Sequence, residues 1–167
     1  MLIYHPAFDI HHCIFRTLLL LNEMPKSAYE IDRIKILDFC LLFPYYLKQV
    51  RFPSNARRYK NALPQLNPYD KLEDPRRILH RLTPYQLTAL KCLASYNLID
   101  SNMLPQGQVK RTDQETPREL TIALGRAKQR DHEILSILTS LFASIDLYGP
   151  DGLKARTDLL EHKYDTI

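Results

Sequence analysis

Apolar positions fall along the chain in blocks with helical spacing, and the densest block runs from Ser27 to Leu47. Ile34, Leu37, Cys40 and Leu41 recur at three- and four-residue steps and make one apolar face. Ile36, Phe39, Leu42 and Phe43 cover the other sides, and a helix that is apolar almost all round belongs inside a domain rather than on its surface. Ser27 and Glu30 have capping-box spacing and predict its start, while Pro44 predicts its end or a kink. Asp38 lies within the apolar part, where an unpaired carboxylate is costly, so it is expected to meet an arginine or a helix N-terminus.

The neighbouring blocks extend the helical pattern. Pro6 is placed to open a helix through Ile10, Ile14, Leu18 and Leu21 to Asn22. A stretch broken by Pro53, Pro64 and Pro68 leaves room for one short helix around residues 55–63. Asp74-Pro75 predicts a short helix to Arg81, and the capping box Thr83-Pro84-Tyr85-Gln86 predicts another to Asn97. Leu98–Asp100 and Val109–Thr112 then read as two short strands around a loop with Pro105 and Gly107. Helix, short helix, helix and a two-stranded wing is the outline of a winged helix.

A third capping box, Thr116-Pro117-Arg118-Glu119, opens a helix that meets no breaker before Ile145, a length of roughly 45 Å. Leu120, Leu124, Ala127, Asp131, Ile134, Leu138, Leu141 and Ile145 step by fours and threes, a heptad seam spoiled once, at Asp131. Gly125 is the expected place for a bend. Gly149-Pro150 stops this run, and a last amphipathic helix is expected from Asp151 to Tyr164. The expected fold is mainly α: a winged-helix-like core with a small two-stranded wing over residues 1–115, followed over 116–167 by a long helix and a short terminal one packed on the core or on a partner. A helix that long outreaches so small a domain, which favours the partner and makes Leu120, Leu124, Ala127, Ile134, Leu138, Leu141 and Ile145 the candidate interface.

Composition agrees with one soluble domain: 167 residues, 45% hydrophobic and 25% charged, with four glycines against eleven prolines. Cys13, Cys40 and Cys92 are far apart and read as reduced thiols of a cytoplasmic protein. The Leu18–Leu21 run is too short to span a membrane, and no basic n-region precedes it.

The net charge of +4 permits contact with nucleic acid without demanding it. Arg57, Arg58, Lys60, Arg76, Arg77, Lys110 and Arg111 are the candidate phosphate contacts, with a solvated basic connector as the plainer reading of the first three. A base-reading helix needs Arg, Lys, Asn or Gln on its exposed face, and the helix expected from 84 to 97 carries no arginine. His5, His11 and His12 with Asp9 and Cys13 invite a metal reading. Adjacent histidines point about 100° apart on a helix, however, so solvated or packed side chains explain them better. No Gly-rich phosphate loop, HExxH, CxxC or GxSxG is present, so neither a catalytic residue nor a cofactor or metal is expected.

Three stretches taken together, YHPAFDIHHCIFRTLLLL, EIDRIKILDFCLLFPYYL and LTPYQLTALKCLASYNLI, resemble the small middle component of bacterial ABC-three-component systems, which include the Lamassu-type defence operons. The resemblance implies a non-catalytic winged-helix subunit that bridges an SMC-like or Rad50-like ATPase and an effector, often a nuclease. The alternative from the residues alone is a stand-alone winged-helix transcriptional regulator that binds DNA.

Overall fold

The structure, a computed structural model, describes residues 6–61, 63 and 72–163. Helix α1 spans Ile10–Glu23, and a 3-10 turn at Pro6–Phe8 precedes it. The Asp9 carboxylate starts it by accepting hydrogen bonds from the amides of His11 (2.8 Å) and His12 (3.1 Å), two of the donors a helix start leaves free.

The central helix is shorter than its sequence pattern. α2 spans Ile31–Leu42, with every residue from Ile36 to Cys40 buried, and Pro44 opens a separate 3-10 turn to Lys48. The Ser27–Glu30 capping box does not form. Ala28–Glu30 is instead strand β1, paired antiparallel with β2 (Gln108–Lys110) in the register Tyr29 to Val109. The Glu30 carboxylate takes the guanidinium of Arg33 at 2.8 Å.

Helix α3 is a single turn, Arg57–Asn61. The two helices expected between 75 and 97 are one, α4, from Pro75 to Ser95 with Asp74 as its N-cap. Pro84 sits inside α4 on its exposed side, where solvent can take the carbonyl that the missing N–H leaves free. Leu79 and Leu82 before it, and Leu90 and Leu93 after it, are buried together, and this holds both halves on one axis. The strand expected at Leu98–Asp100 reduces to one bridge, Ile99 with Arg111, so β2 takes its full partner from the segment ahead of α2.

The C-terminal run is helical but broken. α5 covers Arg118–Arg130, Asp131 interrupts it, α6 covers His132–Ser136, and a π-helical turn at Ile137–Leu141 and a 3-10 turn at Phe142–Ser144 follow. The break falls at Asp131, the defect in the seam, and not at Gly125. The terminal helix α7 is only Leu153–Thr157, because Asp158 adopts φ 53° and turns the chain left-handed.

Residues of 116–163 belong to the same core as the rest. Leu124, Leu138, Phe142, Leu153 and Leu159 join Leu18, Ile36, Phe39, Leu79 and Leu90 in one buried cluster. Arg33, itself buried, reaches from α2 to the carbonyls of Phe142 (3.3 Å), Ala143 (3.1 Å) and Ile145 (2.5 Å), so one cation closes the C-terminal end of the long run. Lys154 on α7 meets Asp32 on α2 at 3.3 Å, and the Tyr46 hydroxyl donates to the Thr157 carbonyl at 2.5 Å. Burial alone would push the Asp32 carboxyl up, but Lys35 and Lys154 together hold it below its ordinary value.

Candidate docking groove

The buried charge that the sequence left unpartnered finds its partners where three helices meet. Asp38 on α2 is 0% exposed. Arg16 on α1 donates to it twice, Nε to Oδ1 at 2.7 Å and Nη2 to Oδ2 at 3.3 Å, the bidentate geometry in which Arg–carboxylate pairs are strongest. Gln86 on α4 adds Nε2 to Oδ2 at 2.8 Å and also donates to the Lys35 carbonyl at 3.1 Å. The hub therefore joins α1, α2 and α4, and it explains why Gln86 turns inward instead of closing a capping box at Thr83, whose hydroxyl donates to the Leu79 carbonyl (3.0 Å).

Above the hub lies an open groove of about 720 Å³ between α1, the end of α2 and the α5–α6 break. Phe15, Leu19, Leu41, Leu42 and Pro44 give it an apolar lining, and Arg16 reaches it from the hub. His11, His12, Tyr45, Arg130 and Asp131 supply polar groups, with Arg130 and Asp131 paired at 2.8 Å. An apolar cleft with a few polar groups in it is the usual form of a binding site. The adjacent histidines, read from the sequence as solvated or packed, and Asp131, read as a fault in the seam, both line this groove.

The seam itself is not a free face. Leu124, Ala127 and Leu138 are buried in the chain's own core, while Leu120, Ile134, Leu141 and Ile145 pack partly against it. The seven residues expected as a partner interface are thus covered, wholly or in part, by the chain's own core. The run breaks at Asp131 and folds back along the domain, and Lys128 ties α5 to Glu23 at the end of α1 (2.8 Å).

The candidate phosphate contacts are dispersed. Arg76 is committed to the Asp158 carboxylate and carbonyl, and Arg111 to Asn22 Oδ1 and the carbonyls of Leu98, Thr112 and Gln114. Lys110 and Arg111 follow the C-terminal end of α4, and Arg76 and Arg77 lie at its N-terminal end, about 30 Å away along a helix of this length. Arg57, Arg58 and Lys60 stay together on α3. Among the described residues no three or more His, Cys, Asp or Glu side chains are grouped to hold a metal ion, and no helix is long and apolar enough to cross a membrane. His5 lies outside the described residues.

No curated protein and no solved structure matches the chain. A protein-family model does: the ABC-three component (ABC-3C) system Middle Component 5, over residues 2–165. With nearly its whole length matched, this chain belongs to the Middle Component 5 family of ABC-three-component systems.

Proposed function

We propose that the chain is a non-catalytic adaptor of a bacterial defence system of Lamassu type, bridging an SMC-like or Rad50-like ATPase and a nuclease-class effector in the cytoplasm. The match to a middle component over residues 2–165 carries this reading. The geometry supports it in two ways. The ionisable groups that converge at the hub are satisfied by one another rather than aimed at a substrate, and the groove beside it is lined by side chains suited to a protein partner.

The order of elements also supports the winged-helix reading of the core. Helix α1, strand β1, helix α2, the single turn α3, helix α4 and strand β2 succeed one another, β1 pairs with β2, and the Ile99–Arg111 bridge follows α4. A stand-alone regulator gains less, because its candidate phosphate contacts lie at both ends of α4 and two are tied down within the fold. Co-expression with the ATPase and the effector tests the adaptor: all three should co-elute, and His12→Glu, at an exposed position of the groove, should release the chain while leaving its own melting curve intact. A chain that elutes alone beside both partners would overturn the proposal.

A further inference from the structure

Positive charge collects in a second cleft, between α3 and the turn that leads into α7. Arg51, Arg57, Lys60 and Arg156 line it, against one lining carboxylate, Asp151. What holds these cations matters more than their number. Arg51 Nη2 donates to the carbonyls of Pro150 (3.0 Å) and Ala155 (3.3 Å), Lys60 Nζ to that of Val50 (3.0 Å), and Arg156 Nη1 to that of Arg51 (3.0 Å). A carbonyl orients a cation without cancelling its charge. Arg156 alone also has a carboxylate, Asp151 at 3.1 Å, and that side chain is 78% exposed. Arg57 is exposed and has no hydrogen-bond partner among the described residues. Among the described residues, four cations against one carboxylate leave a net +3 in a cleft of about 670 Å³. Three of the four are already oriented, so little rotamer freedom remains to be lost when an anion arrives.

We propose that this cleft binds a phosphate group, carried by a nucleic-acid backbone or by a free nucleotide. Guanidinium forks suit phosphate oxygens, and Ser54 and Asn61 at the same cleft add neutral donors. The site goes beyond the adaptor reading and does not depend on it. It retains the candidate contacts Arg57 and Lys60 and adds Arg51 and Arg156, which sequence spacing could not bring together.

The test uses the purified full chain and three probes: inorganic phosphate, ATP and a fluorescent DNA duplex, read by calorimetry for the first two and anisotropy for the third. At least one should bind, and Arg57→Glu should weaken it about tenfold while Arg118→Glu, at the exposed start of α5, leaves it unchanged. Asp151→Asn removes the only carboxylate of the lining among the described residues and should tighten binding, a gain that a misfolded variant cannot imitate. Duplex binding with no response to phosphate or ATP assigns the backbone as the source; competition by ATP or phosphate assigns the free anion. For the duplex, Arg57→Ala should lower the slope of log affinity against log salt by about 0.9. If none of the probes binds, or if Arg57→Glu and Asp151→Asn both bind as the unaltered chain does, the proposal is wrong.

Discussion

Removing the Asp38 carboxylate should be among the most damaging single changes available. The Asp38 side chain is 1% exposed and that of Arg16 12%, so the pair is almost wholly desolvated, and Asp38→Ala leaves the guanidinium without its anion and Gln86 with one acceptor instead of two. Breaking a buried pair from one side costs about 3–5 kcal/mol, a large part of the roughly 5–15 kcal/mol that stabilises a typical domain. At about 2–4 °C per kcal/mol for a chain of this size, the melting temperature should fall by roughly 10 °C. Asp38→Leu combined with Arg16→Met should cost clearly less than the two single changes added together, because both charges leave and their volume is refilled. Urea denaturation followed by far-UV circular dichroism gives all four free energies of the cycle. A cost below about 1 kcal/mol for Asp38→Ala, the range of a solvated surface pair, would refute the claim that the hub is desolvated, and so would strict additivity in the double variant.

The remaining expectations concern the same fold. Leu138 is 0% exposed, so Leu138→Glu should unfold the isolated chain in a thermal melt; loss of partner binding with an unchanged melt would restore the seam as an interface. Gly125 has open space around it and Gly125→Ala should add up to about 1 kcal/mol in denaturant titration, whereas a Cβ at Gly152 would collide with the Tyr148 carbonyl and Gly152→Ala should destabilise. Burial, reinforced by the Asp38 charge and opposed by Arg16, pushes the Cys13 thiol from 9.0 up to about 12, and burial pushes Cys40 up as well. The unfolded thiols ionise first, so their contribution is complete below about pH 9 and declines towards pH 12 by about 1 kcal/mol per unit for each; a urea midpoint that held or rose from pH 9 to 11 would contradict this. Arg33→Ala should free the carbonyls of Phe142, Ala143 and Ile145 and speed hydrogen exchange through residues 137–145, with no rescue by Arg33→Lys.

Local chemistry was legible where one residue decides the outcome. Pro44 ends α2 because a proline cannot continue it, and Asp38 meets an arginine, one of the two partners that its burial called for. Signals that depend on which group wins a partner were not. Ser27–Glu30 carries a valid capping box, but its backbone gains more from pairing with Gln108–Lys110, a segment far away in sequence. Thr83-Pro84 looks like a helix start, yet leucines buried on both sides of it carry the helix through. The heptad seam was read as periodic and apolar, and it is; periodicity says that a face is covered without saying which chain covers it. The docking groove and the cationic cleft are assembled from distant segments, so neither has a contiguous motif.

Hydrogen–deuterium exchange on the chain alone and on the chain assembled with its ATPase and effector tests the adaptor claim most directly. Assembly should slow exchange in the peptides that line the groove, around residues 11–19, 41–45 and 130–131, while the seam around Leu124 and Leu138 changes little because it is already covered. No change at the groove, or protection confined to other surfaces, would contradict it.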